Sequence, residues 1–273
     1  MAQSPLPINP PLARSVSVMH PLTWLVRGGR DMLRCGWLSY VHGLTMAVFG
    51  GLLLFLAHDR FWLLAGAFSG FLLVAPVLAT SLYAMSRALE RREPVGWPLI
   101  LKTWLNWKDG DFVKWGDEHW NLVRFGILLA AAGTAWVVLS AILIQLLATT
   151  PIAAPRDFLV HVVLDPKGYL FELWLILGGI LVAPIFASTV ITIPLLLDRR
   201  VGVAQAVSLS WQVVAANPIS LAFWGAIIMG LIFVGLSLML LGLVIVVPLL
   251  GHASWHAYRD LLDVSGLPGW EQR

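Results

Sequence analysis

What this 273-residue chain most lacks is charge, since Asp, Glu, Lys and Arg together make up only 12% of it. A water-soluble globular chain carries about a quarter. So few ions exclude an ordinary hydrated surface and point to lipid as the solvent. Cysteine is almost absent as well: Cys35 stands alone, which excludes an internal disulfide and any cysteine-based metal cluster. The net charge of +3 is small, and Lys and Arg lie beside apolar runs instead of in one dense patch, so no nucleic-acid partner is expected. No phosphate loop, GxSxG elbow, HExxH pair or GxGxxG fingerprint occurs. Residues 1–20 hold Pro5, Pro7, Pro10, Pro11 and a single Arg without an apolar core. They are expected to form a disordered tail and not a signal peptide.

What is present fits a membrane. Apolar residues reach 59%, with 14 Trp and 24 Gly, types enriched at membrane interfaces and in spanning helices respectively. A spanning helix needs roughly 20 apolar residues. Such runs occur at Trp37 to Ala57, Phe61 to Met85, Phe125 to Ala148 and Leu170 to Leu197. Val201 to Tyr258 contains no charged side chain and is too long for one crossing of a core about 30 Å thick. It is expected to open with an amphipathic surface segment, Val203 to Ala216, break at Asn217 and Pro218, and turn back between Gly235 and Gly242. The fold class is therefore all-α, a polytopic bundle of six spans over residues 21–262 followed by a short tail, 263–273.

Lys and Arg accumulate in cytoplasmic connections. With both termini inside, fifteen of the 18 cations fall on the inner side and only Arg60, Arg156 and Lys167 on the outer, which leaves Thr149 to Tyr169 as the main outer loop. Between the second and third spans, residues 97–120 interleave Trp97, Trp104, Trp107, Trp115 and Trp120 with Lys102, Lys108 and Lys114. This segment is expected to lie among the headgroups.

The chain also repeats itself. Leu72 to Arg92 matches Ile180 to Arg200 at a constant offset of 108 residues, so that Pro76, Arg91 and Arg92 recur as Pro184, Arg199 and Arg200, with Glu90 answered by Asp198. A weaker echo at Val246 to Leu261 aligns Pro248 with Pro76 and Arg259 with Arg87. Two spans separate successive copies, so the repeat is parallel. Proline inside a helix frees a carbonyl and bends the axis, and Pro76, Pro184 and Pro248 are expected to kink the even-numbered helices.

Polar groups in spans are candidates for function by default. No span carries an acid at its centre, which argues against an ion pump. Glu172 stands at the outer entrance of the fourth span, where a solvated carboxylate is expected. The richest constellation is GHASWHAYR, Gly251 to Arg259, whose His252, His256 and Arg259 share one helix face, with Trp255 and Tyr258 interleaved. His42 falls at a similar depth on the first span. His252 and His256 at i and i+4 could hold Zn or Cu, and a haem would pair His42 with one of them. No Cys or midplane carboxylate completes a shell, so the expectation is that both rings face the bundle interior and bind no metal tightly.

Together, the segments at Leu72 to Pro76, Ser81 to Glu90, Ile193 to Arg199, Ala216 to Pro218 and Pro248 to Leu261 resemble a bacterial integral-membrane family catalogued as domain of unknown function 2189. The similarity runs from about Trp24 to Leu262. Some members carry a cytochrome c oxidase subunit label. The resemblance implies a multi-pass protein of the bacterial inner membrane without an established activity, in contact with the lipid bilayer and with other membrane subunits or its own copies. Three functions follow as expectations. The first is a non-catalytic accessory subunit of a respiratory or other inner-membrane complex, with no cofactor; the alternatives are a small transporter or channel, and a haem- or copper-binding electron carrier.

Overall fold

A computed structural model describes residues 12–57, 79–105, 118–165 and 168–270. Its helices are α1 (His20–Cys35), α2 (Trp37–Ala57), α3 (residues 79–91), α4 (Trp97–Leu105), α5 (Asn121–Leu147), the single turn α6 (Pro155–Phe158), α7 (Leu170–Thr189), α8 (Thr192–Asp198), α9 (Val203–Ala216), α10 (Pro218–Ser237) and α11 (Leu243–Leu261). The only sheet among the described residues is one antiparallel pair, β1 (Leu12–Ala13) with β2 (Leu262–Asp263). The all-α class therefore holds.

Among the described residues, four helical stretches are long and apolar enough to cross a membrane: Trp37–Leu56, Glu118–Leu147, Leu170–Asp198 and Pro218–Ser237. The expected second span is described only from residue 79 onward, and Pro76 lies outside the described residues, as do Trp107, Lys108, Lys114 and Trp115 of the expected interfacial segment. α11 is not among the four. Its first half, Leu243 to Leu250, is apolar, whereas its second half carries His252, His256, Arg259 and Asp260. α5 is apolar on all sides, and only Asn121, Phe125 and Ile144 are buried along its length. In water such a helix would be a core element; here its outer face has the character of a lipid-facing surface.

α11 is the axis of the fold. Trp255, Tyr258 and Leu261 are at most 1% exposed and join Trp24, Leu195 and Ala253 in the main core. α2 runs antiparallel to it. The approach is close because the facing residue is glycine: a Cβ on Gly43 would stand 2.5 Å from the Val244 carbonyl oxygen. α1 crosses α11 where Gly28 meets the Ala253 backbone.

The long fourth apolar run is two helices and not one. α7 continues through Pro184, and the interruption comes at Val190 and Ile191, before α8. Pro194 is the physical cause: its ring clashes with the carbonyl four residues back, at Val190, and it has no N–H to offer. Ser210 of α9 compensates, because its hydroxyl donates to the Ala187 carbonyl at 2.6 Å and accepts from the Ile191 N–H at 3.4 Å. α11 likewise continues through the buried Pro248.

Residues 1–11 and 271–273 lie outside the described residues, and the rest of both expected tails packs on the helices. The described part of the amino-terminal segment is fixed on the helices: Arg14 pairs with Asp263 at 2.8 Å, and Asn217 accepts from the Val16 N–H at 2.8 Å while donating to the Arg14 carbonyl. After β2, Val264 and Leu267 are buried and Gly269 bridges to Arg199. Short apolar side chains at both ends bury against α11 and α9, which offsets the entropy of ordering them.

The candidate site in the C-terminal half of α11

α1 is amphipathic. Trp24, Gly28, Asp31, Met32 and Cys35 are buried at helical spacing, while Val26, Arg30, Leu33 and Arg34 are exposed. Asp31 therefore points at α11, where it meets His256: the imidazole Nε2 lies 2.8 Å from the carboxylate Oδ2. Ser86 of α3 donates to the same oxygen at 2.8 Å. Its one proton being committed there, the Ser86 oxygen accepts from His252 Nδ1 at 2.8 Å. His252 is thus protonated on Nδ1 and accepts on Nε2 from Ser39 of α2 at 2.9 Å. The result is one polarised chain, Ser39 to His252 to Ser86 to Asp31, ending on a carboxylate that His256 also serves.

Burial opposes charge on Asp31, but the hydrogen bonds from His256 and Ser86 outweigh it and hold the carboxyl below its usual range. It is an anion at neutral pH. Cys35, one turn further on, moves the other way: burial first, then the charge of Asp31, push its thiol up to about 11. A thiol at that value is a poor nucleophile.

His42 forms a second, adjacent unit. Its Nδ1 lies 2.7 Å from the Leu38 carbonyl, an obligate acceptor, so Nδ1 carries the proton and Nε2 accepts from Ser81 at 2.6 Å. Both nitrogens of His42 and both of His252 are therefore engaged by protein groups. Among the described residues, no three His, Cys, Asp or Glu side chains converge to hold a metal ion. Ligation of a haem or copper by His42 and His252 through Nε2 would displace the hydroxyls of Ser81 and Ser39.

Around the dyad of Asp31 and His256 lies a cleft of about 410 Å³ between α1, α3 and α11, lined also by Arg27, Arg34, Glu90, Arg259 and Asp260. Asp260 accepts from Trp24 Nε1 at 2.9 Å and from both terminal nitrogens of Arg27. Glu90 accepts from Trp255 Nε1 and from Arg259 Nε, each at 3.0 Å. Its counterpart in the sequence repeat, Asp198, accepts from Tyr258 at 2.9 Å and pairs with Arg91 and Arg199. Each copy of the repeat thus ends in an acid that grips the polar half of α11.

Of the residues singled out by sequence, His252, His256, Trp255, Tyr258, Arg259 and His42 gather at this end of the molecule. Glu172 does not: it is exposed in the first turn of α7. Pro184 is exposed and Pro248 buried, and neither lines the cleft. Sequence reasoning missed Asp31, Ser39, Ser81, Ser86, Asp260 and the whole of α1. Buried positions of α1 at i, i+4, i+7, i+8 and i+11 were the available signal.

A family model described as a predicted integral membrane protein, DUF2189, matches residues 63–198. It takes in α3 to α8 and stops short of α9, so the GHASWHAYR block lies outside the matched residues. No curated protein and no solved structure matches the chain.

Proposed function

Because the chain belongs to this family of integral membrane proteins of unknown function, we propose that it is a non-catalytic accessory subunit of an inner-membrane complex, with six spans and both termini in the cytoplasm. The observation that carries this reading is the internal saturation of four acids and two histidines. Asp31, Glu90, Asp198 and Asp260 each accept two or more donors from neighbouring helices, and both nitrogens of His42 and His252 are committed. Side chains so engaged fix helix positions. They are unlike the open ligand sets and midplane charges of electron carriers and transporters.

The outer surfaces support the same reading. α5 and α10 expose large apolar side chains, such as Leu128, Leu146, Met229 and Phe233, suited to lipid or to neighbouring helices. The fifteen inner cations favour a cytoplasmic position for both termini. The test is purification of the tagged protein in mild detergent, with its visible spectrum, metal content and co-purifying membrane proteins recorded on one preparation. Stoichiometric partner subunits without a Soret band or metal are expected. A monodisperse protein without partners, or with stoichiometric haem or copper, overturns the proposal.

A further inference from the structure

We propose that the cleft between α1, α3 and α11 binds a phosphomonoester, a phosphate group attached through one oxygen to a lipid or to a soluble compound. The inference goes beyond the accessory-subunit reading and does not depend on it.

The argument is an inventory of unused hydrogen-bonding capacity. All three carboxylates in the cleft are already served: Asp31 by His256 and Ser86, Glu90 by Trp255 and Arg259, and Asp260 by Trp24 and Arg27. What remains open is mostly donors. Arg34 is exposed at the rim and makes no hydrogen bond or ion pair with any described residue. It lies seven residues after Arg27 and three after Asp31, so all three share one face of α1. Each of Arg27 and Arg259 retains N–H groups beyond those spent on its carboxylate partner. A site with satisfied acceptors and spare guanidinium donors takes an anion, and guanidinium forks match the oxygens of phosphate and carboxylate best.

His256 favours a ligand that can share a proton. Its Nε2 is tied to Asp31, and its Nδ1 makes no hydrogen bond with a described residue. That nitrogen needs a proton to share with the ligand. A phosphomonoester has one, because its second ionisation falls at about 6; either the phosphate donates P–OH to the neutral ring or the protonated ring donates to the dianion. A carboxylate or phosphodiester brings no proton of its own at neutral pH and so can meet only the protonated ring, whereas a phosphomonoester can meet either form. The cleft, at about 410 Å³, falls within the range of small-molecule sites, roughly 300 to 1,000 Å³. Leu89 at its wall and the exposed Leu33 beside it would suit an acyl chain, so a lipid and a soluble phosphate compound are both sources to be distinguished.

The experiment is calorimetric titration of the full-length protein in neutral detergent with two probes, inorganic phosphate and dioctanoyl phosphatidic acid, and with dioctanoyl phosphatidylglycerol as the phosphodiester of similar size. Arg34→Gln removes the unused donor and should leave thermal stability unchanged, since Arg34 holds no partner. Arg156→Gln, which makes the same charge change in the 149–169 loop, is the control. Saturable binding of at least one phosphomonoester probe is expected, weakened about tenfold or more in Arg34→Gln, as loss of a charge-assisted hydrogen bond implies, and unaltered in Arg156→Gln. Tighter binding of phosphatidic acid than of inorganic phosphate assigns the group to a lipid, and the reverse to a soluble compound. Failure of both probes to bind, equal binding by phosphatidylglycerol, or equal affinity in Arg34→Gln overturns the proposal.

Discussion

Two neighbouring glycines of α1 should respond to the same substitution with opposite signs. A Cβ on Gly28 would stand 2.5 Å from the backbone nitrogen of Ala253 and 2.8 Å from its Cα, whereas a Cβ on Gly29 would meet only Leu249 Cδ1 at 3.7 Å. Both sit inside a helix, where Ala is better than Gly by about 1 kcal/mol. At Gly29 nothing opposes that gain, so Gly29→Ala should stabilise the protein by up to about 1 kcal/mol. At Gly28 the obstacle is backbone and cannot rotate away; α1 and α11 must separate, and overpacking of this kind costs about 1 to 3 kcal/mol. The Asp31 to His256 hydrogen bond and the Trp24 to Asp260 hydrogen bond would lengthen with it. The cost outweighs the propensity gain, and Gly28→Ala should destabilise by about 1 to 2 kcal/mol net. Thermal unfolding in detergent, followed by Trp fluorescence with the parent and both variants side by side, reads the sign directly. Equal shifts in the same direction would refute the close crossing of α1 over α11.

Ser210→Ala should destabilise by about 1 to 3 kcal/mol, because it strands the buried Ile191 N–H at the break between α7 and α8; Ser210→Thr, which keeps the hydroxyl, should recover part of this in the same unfolding assay. The β1 to β2 strap should depend on pH through Asp263, whose carboxyl is held down to about 2 by the Ser265 N–H and by Arg14. A carboxyl with a lowered native value stabilises the fold above its unfolded value, near 3.8, and loses that contribution as pH falls toward about 2. Hydrogen exchange at the Arg14 amide, which donates to the Leu261 carbonyl at 2.8 Å, should therefore accelerate in Asp263→Asn at neutral pH. Unchanged exchange would mean that the strap is held without Asp263. For topology, a reporter enzyme fused after Arg273 should be active only if it functions in the cytoplasm; periplasmic activity would reverse the assignment of the carboxy terminus.

The sequence alone determined where apolar runs must become helices, because a segment in lipid has to satisfy its backbone internally and declares itself by length and composition. α2 matches the apolar run from Trp37 to Ala57 residue for residue, α10 begins at Pro218 after the break at Asn217, and its return turn falls between Gly235 and Gly242. It also marked α11 as the unusual helix, through the face shared by His252, His256 and Arg259. Tertiary structure alone decided what those side chains do. Asp31, Ser39, Ser86 and His252 come from four helices and are separated by up to 213 residues in their hydrogen-bonded pairs. Nothing local in the chain couples them. α1 was hidden because its polar face dilutes its hydropathy, and Pro194 outranked Pro184 because the hydroxyl of Ser210, on another helix, was there to receive the broken end. Periodicity records which face of a helix is buried, but its partners are set by how helices cross, and at Gly28 and Gly43 that crossing depends on the absence of a single carbon.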